Sequence, residues 1–292
     1  MTDVSVLGMG KMGSAITRKF LADGRSVTVW NRTPGRTGEL EALGAQCAPY
    51  AAAAIAASPV TVLTVLGYDT AVGLLPEPGS LNGKDIVNFT TGGAAAAVAF
   101  EAEVVGRGGR LLEGVLLCYP SQIGSADAVI HYSGSQEAWE THREILQPLA
   151  GGTDHLGTAV ELANVMGEAA LAFTTPILAA AMEAAAYGES HGLPAATLLP
   201  RFLNAFPLVA DFLTTAQQKI ARDDFTAEEA TLGVYLAGIE GVASSMKETG
   251  IDARVLEATL RQMRSTCDEA GADADFAAIY AELLRKSRAS QG

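Results

Sequence analysis

Close to its start the chain carries Gly8-Met9-Gly10-Lys11-Met12-Gly13, a Gly-x-Gly-x-x-Gly spacing that suits the pyrophosphate of a dinucleotide. The run Val4-Ser5-Val6-Leu7 leads into it, and Ala15-Ile16-Thr17-Arg18-Lys19-Phe20-Leu21 follows with helical spacing, so the motif stands where a strand turns into a helix. The three glycines do different things. Gly8 permits the sharp turn, Gly10 lets phosphate approach bare backbone, and Gly13 lets the helix lie close to the strand. Phosphates would then rest on the free N–H groups and positive end of that helix.

A glycine-rich turn decides little in a chain with 31 glycines. The segment at the right distance beyond it decides more. A second strand, Ser26-Val27-Thr28-Val29-Trp30, ends in Asn31-Arg32-Thr33-Pro34, where an NAD site usually places a carboxylate for the ribose 2′-OH. No carboxylate stands there. Asn31, Arg32, Thr33 and, one turn on, Arg36 instead suit a 2′-phosphate through charge-assisted hydrogen bonds, which predicts NADPH. Read only as solvated loop cations, the two arginines leave the missing carboxylate unexplained. The expected cofactor contacts are Gly8, Gly10, Lys11, Met12, Asn31, Arg32, Thr33, Arg36, Leu66 and Thr91.

These residues need a scaffold, and 292 residues with 49% hydrophobic and 18% charged content suit two domains with large buried cores. A net charge of −13 disfavours nucleic acid or an anionic membrane as a general partner, so NADPH must rely on the local arginines. Cys47, Cys118 and Cys267 have no metal-ligand spacing and read as reduced, mostly buried thiols; no metal is expected. The first strand begins within four residues with no signal-peptide core, and no apolar run reaches membrane-spanning length without Gly, Pro or charge. A cytoplasmic protein is expected.

Short apolar runs alternate with helical segments to about residue 158, the pattern of a doubly wound, Rossmann-type parallel sheet. After the first two strands and a helix near Ala51–Ala57, further strands are expected at Pro59–Leu66, Asp85–Phe89, Arg110–Gly114 and Ala128–Ser133. Loops after such strands face the cofactor, which singles out Gly67-Tyr68-Asp69 and Thr90-Thr91-Gly92-Gly93. His131 lies in an apolar strand and reads as a satisfied core histidine. Helical sequence then runs from Leu162 almost unbroken to Tyr187, with later punctuation at Gly188, Gly192-Leu193-Pro194, Pro200, Pro207, Asp223-Asp224, Gly250 and Gly271. The expected architecture is α/β: a dinucleotide-binding domain at 1–158, an interdomain helix at 159–188 and an all-helical dimerisation domain at 189–292. The long helix is apolar nearly all round and must be buried, most simply against a second copy in a homodimer with interlocked helical domains.

As a set, Gly8–Gly13, Val27–Thr33, Val87-Asn88-Phe89-Thr90-Thr91-Gly92, Pro120-Ser121-Gln122-Ile123-Gly124 and Tyr132-Ser133-Gly134-Ser135 resemble the 6-phosphogluconate and β-hydroxyacid dehydrogenase superfamily, and within it the NADPH-dependent imine reductases. Similarity is weaker after residue 160, although Leu156-Gly157 and Ala230-Thr231-Leu232 look like family landmarks. The resemblance implies hydride transfer from NADPH to a C=N bond in an interface cleft. Two departures separate the chain from the hydroxyacid enzymes. It has no lysine between Lys84 and Lys219, and Glu113-Gly114-Val115-Leu116-Leu117-Cys118 stands in place of their serine-glycine-glycine motif. Carbonyl reduction leaves an alkoxide that needs a proton, whereas hydride addition to an iminium gives a neutral amine directly.

A third departure concerns catalysis. The family's Asp or Tyr in the long helix falls here on Gly167, which can donate nothing. Its second polar position falls on Thr175. Replacements are Glu168, about 100° round the helix, Asn164 about a turn earlier, and Tyr235, which aligns where a partner subunit would reach into the pocket. Gly167 itself reads either as a close helix–helix contact or as room for a bulky substrate. The expected substrate is an imine already positively charged, or basic enough to be protonated before it binds, with Thr91, Thr175 or Glu168 supplying counter-charge. Alternatives are a divergent β-hydroxyacid dehydrogenase acting on a 3-hydroxy acid, and a non-catalytic NADPH-binding protein.

Overall fold

A computed structural model describes residues 1–290. A first compact unit, Met1–Ala172, is built on an eight-stranded sheet. Its strands are β1 (Val4–Leu7), β2 (Val27–Trp30), β3 (Gln46–Cys47), β4 (Val60–Leu63), β5 (Asp85–Asn88), β6 (Arg110–Leu117), β7 (Val129–Gly134) and β8 (Gly152–His155), in the order β3-β2-β1-β4-β5-β6-β7-β8. Helices α1 (Lys11–Ala22), α2 (Gly38–Ala42), α3 (Ala51–Ala56), α4 (Tyr68–Leu74), α5 (Ala94–Gly106) and α6 (Gln136–Leu146) connect them. The sheet is buried on both faces, as strands covered by crossover helices must be. Val4 and Val6 point to one core with Phe20, Tyr132 and Trp139, while Leu7 points to the other with Ile55, Leu63, Phe100 and Leu111. Ser5, fully buried between them, is satisfied by donating to the Ala54 carbonyl at 2.6 Å.

The sheet departs from the expected all-parallel pattern at β6 and β7, which pair antiparallel. The loop between them is too short for a crossover helix, and antiparallel strands need none. Two edge strands, β3 and β8, were not expected; one has two residues and the other is the polar sequence Gly-Thr-Asp-His. β4 ends at Leu63, short of the expected Leu66, because Thr64 turns to donate its hydroxyl to the Gly8 carbonyl at 2.7 Å. At the other end of the sheet, Asp85 fastens three elements. It accepts from Arg110 of β6 at 2.6 and 2.8 Å, and its Oδ2 lies 2.7 Å from His142 Nε2 of α6. Burial pushes the Asp85 carboxyl up, but hydrogen bonds from His142 and Arg110 outweigh it and hold it below the usual range.

Helix α7 runs over Leu162–Ser190, and the division between units falls within it, after Ala172. The first unit therefore takes in the start of α7 as well as the sheet. Pro176, one turn on, withholds an N–H from the Ala172 carbonyl. The second unit continues with α8 (Ala195–Phe202), α9 (Phe206–Arg222), α10 (Leu232–Glu248), α11 (Arg254–Ala270) and α12 (Ala278–Ala289). Gly188 does not end α7 as expected. It is a close-contact position inside the helix, where a Cβ would stand 2.0 Å from Leu198 Cδ1. Pro200 likewise lies within α8 and Pro207 in the first turn of α9, where a missing N–H costs nothing.

Leu162–Ser190 and Ala195–Arg222 are long and apolar enough to cross a membrane by length and composition. Glu168, Pro176 and Glu183 interrupt the first, and Pro200, Arg201, Pro207 and Asp211 the second. Much of their apolar surface is open in the single chain, with Leu178 65% and Leu208 69% exposed. The cysteines differ from the expectation of buried thiols: all are free, Cys47 is exposed, and Cys118 and Cys267 are half-buried. His131 is satisfied, but by Asp154 of the adjoining β8 rather than inside the core.

Candidate active site

Three glycines after β1 show what the turn is built to hold. Gly8 has φ +101°, and a Cβ there would meet the Thr64 carbonyl at 2.5 Å; at Gly13 one would meet the Gly8 carbonyl at 1.9 Å. Protein fills the space at both. At Gly10 nothing lies within 4 Å, so that opening is left for a ligand. Helix α1 begins at once, with no side chain capping its first N–H groups. An open backbone cradle at an uncapped helix start fits a pyrophosphate.

Asn31, an expected cofactor contact, lines the cleft and also braces the turn. Its Oδ1 accepts from the Met9 N–H at 2.8 Å and its Nδ2 donates to the Thr33 carbonyl at 2.9 Å, so it ties the end of β2 to the glycine turn. Lys11, Arg32 and Arg36 remain exposed on the lining of the same cleft. Among the described residues none of the three has an ion-pair partner. That leaves their charge available to an anion.

The cleft has a volume of about 740 Å³ and runs from this cradle across the ends of β4, β5 and β6 to the start of α7. Leu66, 95% exposed, and Thr91 lie on its lining, as do Gly8, Gly10, Lys11, Met12, Asn31, Arg32, Thr33 and Arg36. Away from the cradle the walls are mostly apolar: Phe89, Val115, Leu116, Leu117 and Leu171. Asn164 and Glu168 also belong to the lining. Thr175 and Tyr235 lie in the second unit and are not among these lining residues; Tyr235 is 40% exposed and meets the Phe276 ring edge-on at 5.4 Å.

Gly167 is a contact point. A Cβ there would stand 2.6 Å from Val115 Cγ2, so a side chain at this point requires Val115 to shift. The close contact is with a strand rather than the expected second helix, and Gly167 also lies on the cleft lining. One position on, Glu168 is the single carboxylate on the lining among the described residues. Its Oε1 lies beside Gly93, which caps the N-terminus of α5, a place where a helix end favours negative charge. No described cation pairs with it.

Beneath the cleft floor lies a polar cluster that the sequence did not reveal. Glu113, 1% exposed, accepts from Asn88 Nδ2 at 3.0 Å to each oxygen and from the Tyr68 hydroxyl at 3.0 Å. Burial pushes the Glu113 carboxyl up to about 8, against the lowering by Asn88 and Tyr68. Burial and the neighbouring Glu113 also push the Tyr68 hydroxyl up, which keeps it a donor. Asn164 Nδ2 donates to Tyr68 Oη at 2.8 Å and to the Gly92 carbonyl at 2.9 Å. One signal was available: a glutamate inside the apolar run Leu111-Leu112-Glu113-Gly114.

Known proteins share this geometry. The model of the NAD binding domain of 6-phosphogluconate dehydrogenase matches residues 3–157, and that of the NADPH-dependent reductive aminase-like C-terminal domain matches residues 160–286. A Streptomyces aurantiacus imine reductase is 30% identical, with TM-score 0.89 over 96% of this chain and 99% of that one. The chain belongs to the imine reductase family. A reductive aminase from Aspergillus terreus, solved in complex with NADPH and ethyl-5-oxohexanoate, is 28% identical with TM-score 0.90 over 97% of this chain and 99% of that one. The NADPH-dependent reductive aminase of Aspergillus oryzae is 26% identical over 261 residues, 87% of each chain. This imine reductase is an oxidoreductase whose cofactor is NADPH. Its Gly10 opening, the uncapped start of α1 and the three free cations fit that cofactor on their own chemistry.

Proposed function

We propose that the protein reduces an imine or iminium to an amine with NADPH, and that Glu168 holds the substrate's positive charge. The observation that carries this reading is the cleft lining: beside an open dinucleotide cradle it offers apolar walls and one carboxylate, and its single lysine, Lys11, lies at the phosphate end. When bound, NADPH supplies a hydride whose electron pair forms the new C–H bond while the C=N π pair moves to nitrogen, so an iminium leaves as a neutral amine and NADP⁺ remains. No alkoxide forms, and the lysine that a hydroxyacid enzyme would use is not missed. Gly8, Gly10, Lys11 and Met12 receive the pyrophosphate end of the cofactor. Arg32, Thr33 and Arg36 receive the 2′-phosphate, Asn31 braces the turn, and Leu66 and Thr91 border the path toward the nicotinamide. Phe89, Val115, Leu116 and Leu171 exclude water from the reacting carbon, and positioning supplies most of the rate.

The working form is a soluble, cytoplasmic homodimer in which the exposed apolar helices of the second unit are covered by those of another copy. The partner's helical unit then closes the cleft, the setting in which Tyr235 of the partner subunit reaches substrate. The direct test mixes the protein with NADPH and a panel of cyclic imines and iminium ions over pH 6 to 9. A permanent iminium is expected to give a nearly flat profile. The neutral imine's rate should fall as pH rises past its own pKa. Faster turnover of the neutral form at high pH would point to a protein acid other than those named. Turnover of 3-hydroxy acids with none of imines would replace this reading with a hydroxyacid dehydrogenase.

A further inference from the structure

The loop Thr90-Thr91-Gly92-Gly93 after β5 brings Thr90, Thr91 and Gly92 to the cleft lining, yet its two glycines have no side chain to hold it in place. Tyr68, the first residue of α4, supplies the hold. A Cβ on Gly92 would stand 2.4 Å from Tyr68 Cε2, so the ring lies directly against the loop backbone. The ring is itself fixed by Phe100 of α5, which it meets edge-on at 5.6 Å. Its hydroxyl donates to Glu113 of β6 at 3.0 Å and accepts from Asn164 Nδ2 of α7 at 2.8 Å. The second Asn164 hydrogen goes to the Gly92 carbonyl at 2.9 Å, and because that carbonyl can only accept, the amide nitrogen must face it. Thr90 is held in register by the same cluster: its N–H donates to Asn88 Oδ1, and Asn88 donates to Glu113. One side chain thus joins the loop, β6 and the start of α7.

Glu168 stands where the same loop and helix meet. It follows Asn164 by about one turn of α7, and a Cβ on Gly93 would stand 3.1 Å from its Oε1. We propose that Tyr68 is a positioning residue for C=N reduction: by joining the Gly92 loop to the start of α7, it sets where the Glu168 carboxylate stands in the cleft. The inference rests on the reading of Glu168 above and adds the group that aims it. Tyr68 is not among the lining residues, so it acts through Gly92 and Asn164 and not on the substrate itself. Aim matters because a counter-charge helps the reaction most when it is already in place and needs no reorganisation. A side chain that merely held the fold together would act on stability, and on rate equally whether or not residue 168 carries a charge.

The test is a double-mutant cycle between Tyr68→Phe and Glu168→Gln, read as kcat with NADPH and a permanent cyclic iminium. Tyr68→Phe keeps the ring and removes the hydroxyl, so kcat should fall by about three- to tenfold, within the range for one lost hydrogen bond. NADPH affinity by fluorescence titration should hold, because the phosphate cradle lies at the other end of the cleft. In a Glu168→Gln background, with no charge left to aim, the same substitution should change kcat by less than about twofold. Asn164→Ala cuts the other end of the link and should show the same dependence on Glu168, so it decides the matter if Tyr68→Phe does not fold. Unchanged kcat in Tyr68→Phe overturns the inference. An equal loss in both backgrounds overturns it too, since Tyr68 would then serve the fold alone. A loss of kcat accompanied by an equal loss of NADPH affinity overturns it in favour of a cofactor contact. If Glu168→Gln alone leaves kcat unchanged, the reading of Glu168 fails and takes this inference with it, a result seen with Tyr68 intact. If no imine or iminium oxidises NADPH in the unaltered protein, the C=N reading fails before any variant is made.

Discussion

Arg32 and Glu168 carry opposite charges to the two ends of one cleft, and each makes a separable prediction. Arg32→Ala should weaken NADPH by about tenfold or more and NADH much less, since only NADPH carries a 2′-phosphate for a charge-assisted bond worth about 1.5–3 kcal/mol. Equal losses in a binding titration would remove Arg32 as the discriminating residue. Glu168→Gln keeps the shape and removes the charge, so it should lower kcat/KM for iminium ions by at least about tenfold while NADPH affinity holds. Sequence showed the glycine turn and the arginines because spacing along one strand–turn–helix unit is local information. It did not show that Asn31 also ties its amide to Met9, because a neighbour across two strands is visible only once β1 and β2 are paired. Gly167 left two readings open for the same reason: Val115 lies far away in the chain.

At the scale of elements, the order of strands and helices was legible from apolar runs and their punctuation. The edges were less so, because β3 and β8 are short and polar and exist by pairing with a neighbour. Gly188 and Pro207 read as breaks yet lie inside helices, where contact with Leu198 or a first-turn position outweighs local preference; Pro200 also lies inside α8, and nothing in the structure explains it. The Asp85 cluster joins β5, β6 and α6 through a buried carboxylate, a buried imidazole and a partly exposed guanidinium. Asp85→Asn leaves Arg110 and His142 without their shared carboxylate, though Arg110 keeps Glu137, and should cost about 1–3 kcal/mol in denaturant unfolding. Because the folded Asp85 carboxyl lies below its usual value, its contribution is present above the unfolded pKa and disappears as pH falls through the lowered one. A variant as stable as the parent at pH 7 would show that the cluster is dispensable.

For the whole molecule, Glu113 sets a pH dependence of the opposite sense. Its folded pKa of about 8 stands above the ordinary 4.5, so between those values the folded chain holds a proton that the unfolded chain has lost. Stability should therefore decline as pH rises across that window and level off beyond it, and Glu113→Gln should flatten the decline in melting temperature. A parent protein with constant melting temperature from pH 5 to 8 would contradict this. The open apolar helices make a second prediction, that sedimentation at micromolar concentration finds a dimer. Leu178→Asp with Met182→Asp should return it to monomers, placing two charges on surface now more than half exposed. A fully active monomer would remove both the dimer and any role for Tyr235 from a partner. A second copy leaves no sign in one chain beyond surplus apolar surface, so the sequence could indicate the need for cover but not its geometry.

The contact of Val115 with Gly167 also bears on how such a site can change over generations. Placing an acid on the helix by Gly167→Asp alone brings a new Cβ to 2.6 Å from a methyl group and should cost about 1–3 kcal/mol of overpacking. Val115→Ala alone costs about 1 kcal/mol of packing and is survivable. One order of steps is favoured: β6 recedes first, and the acid follows. That sign epistasis would hold a lineage on the Glu168 solution long after a better-placed acid became advantageous. A double-mutant cycle in which Gly167→Asp is harmful alone and tolerated after Val115→Ala would reveal it.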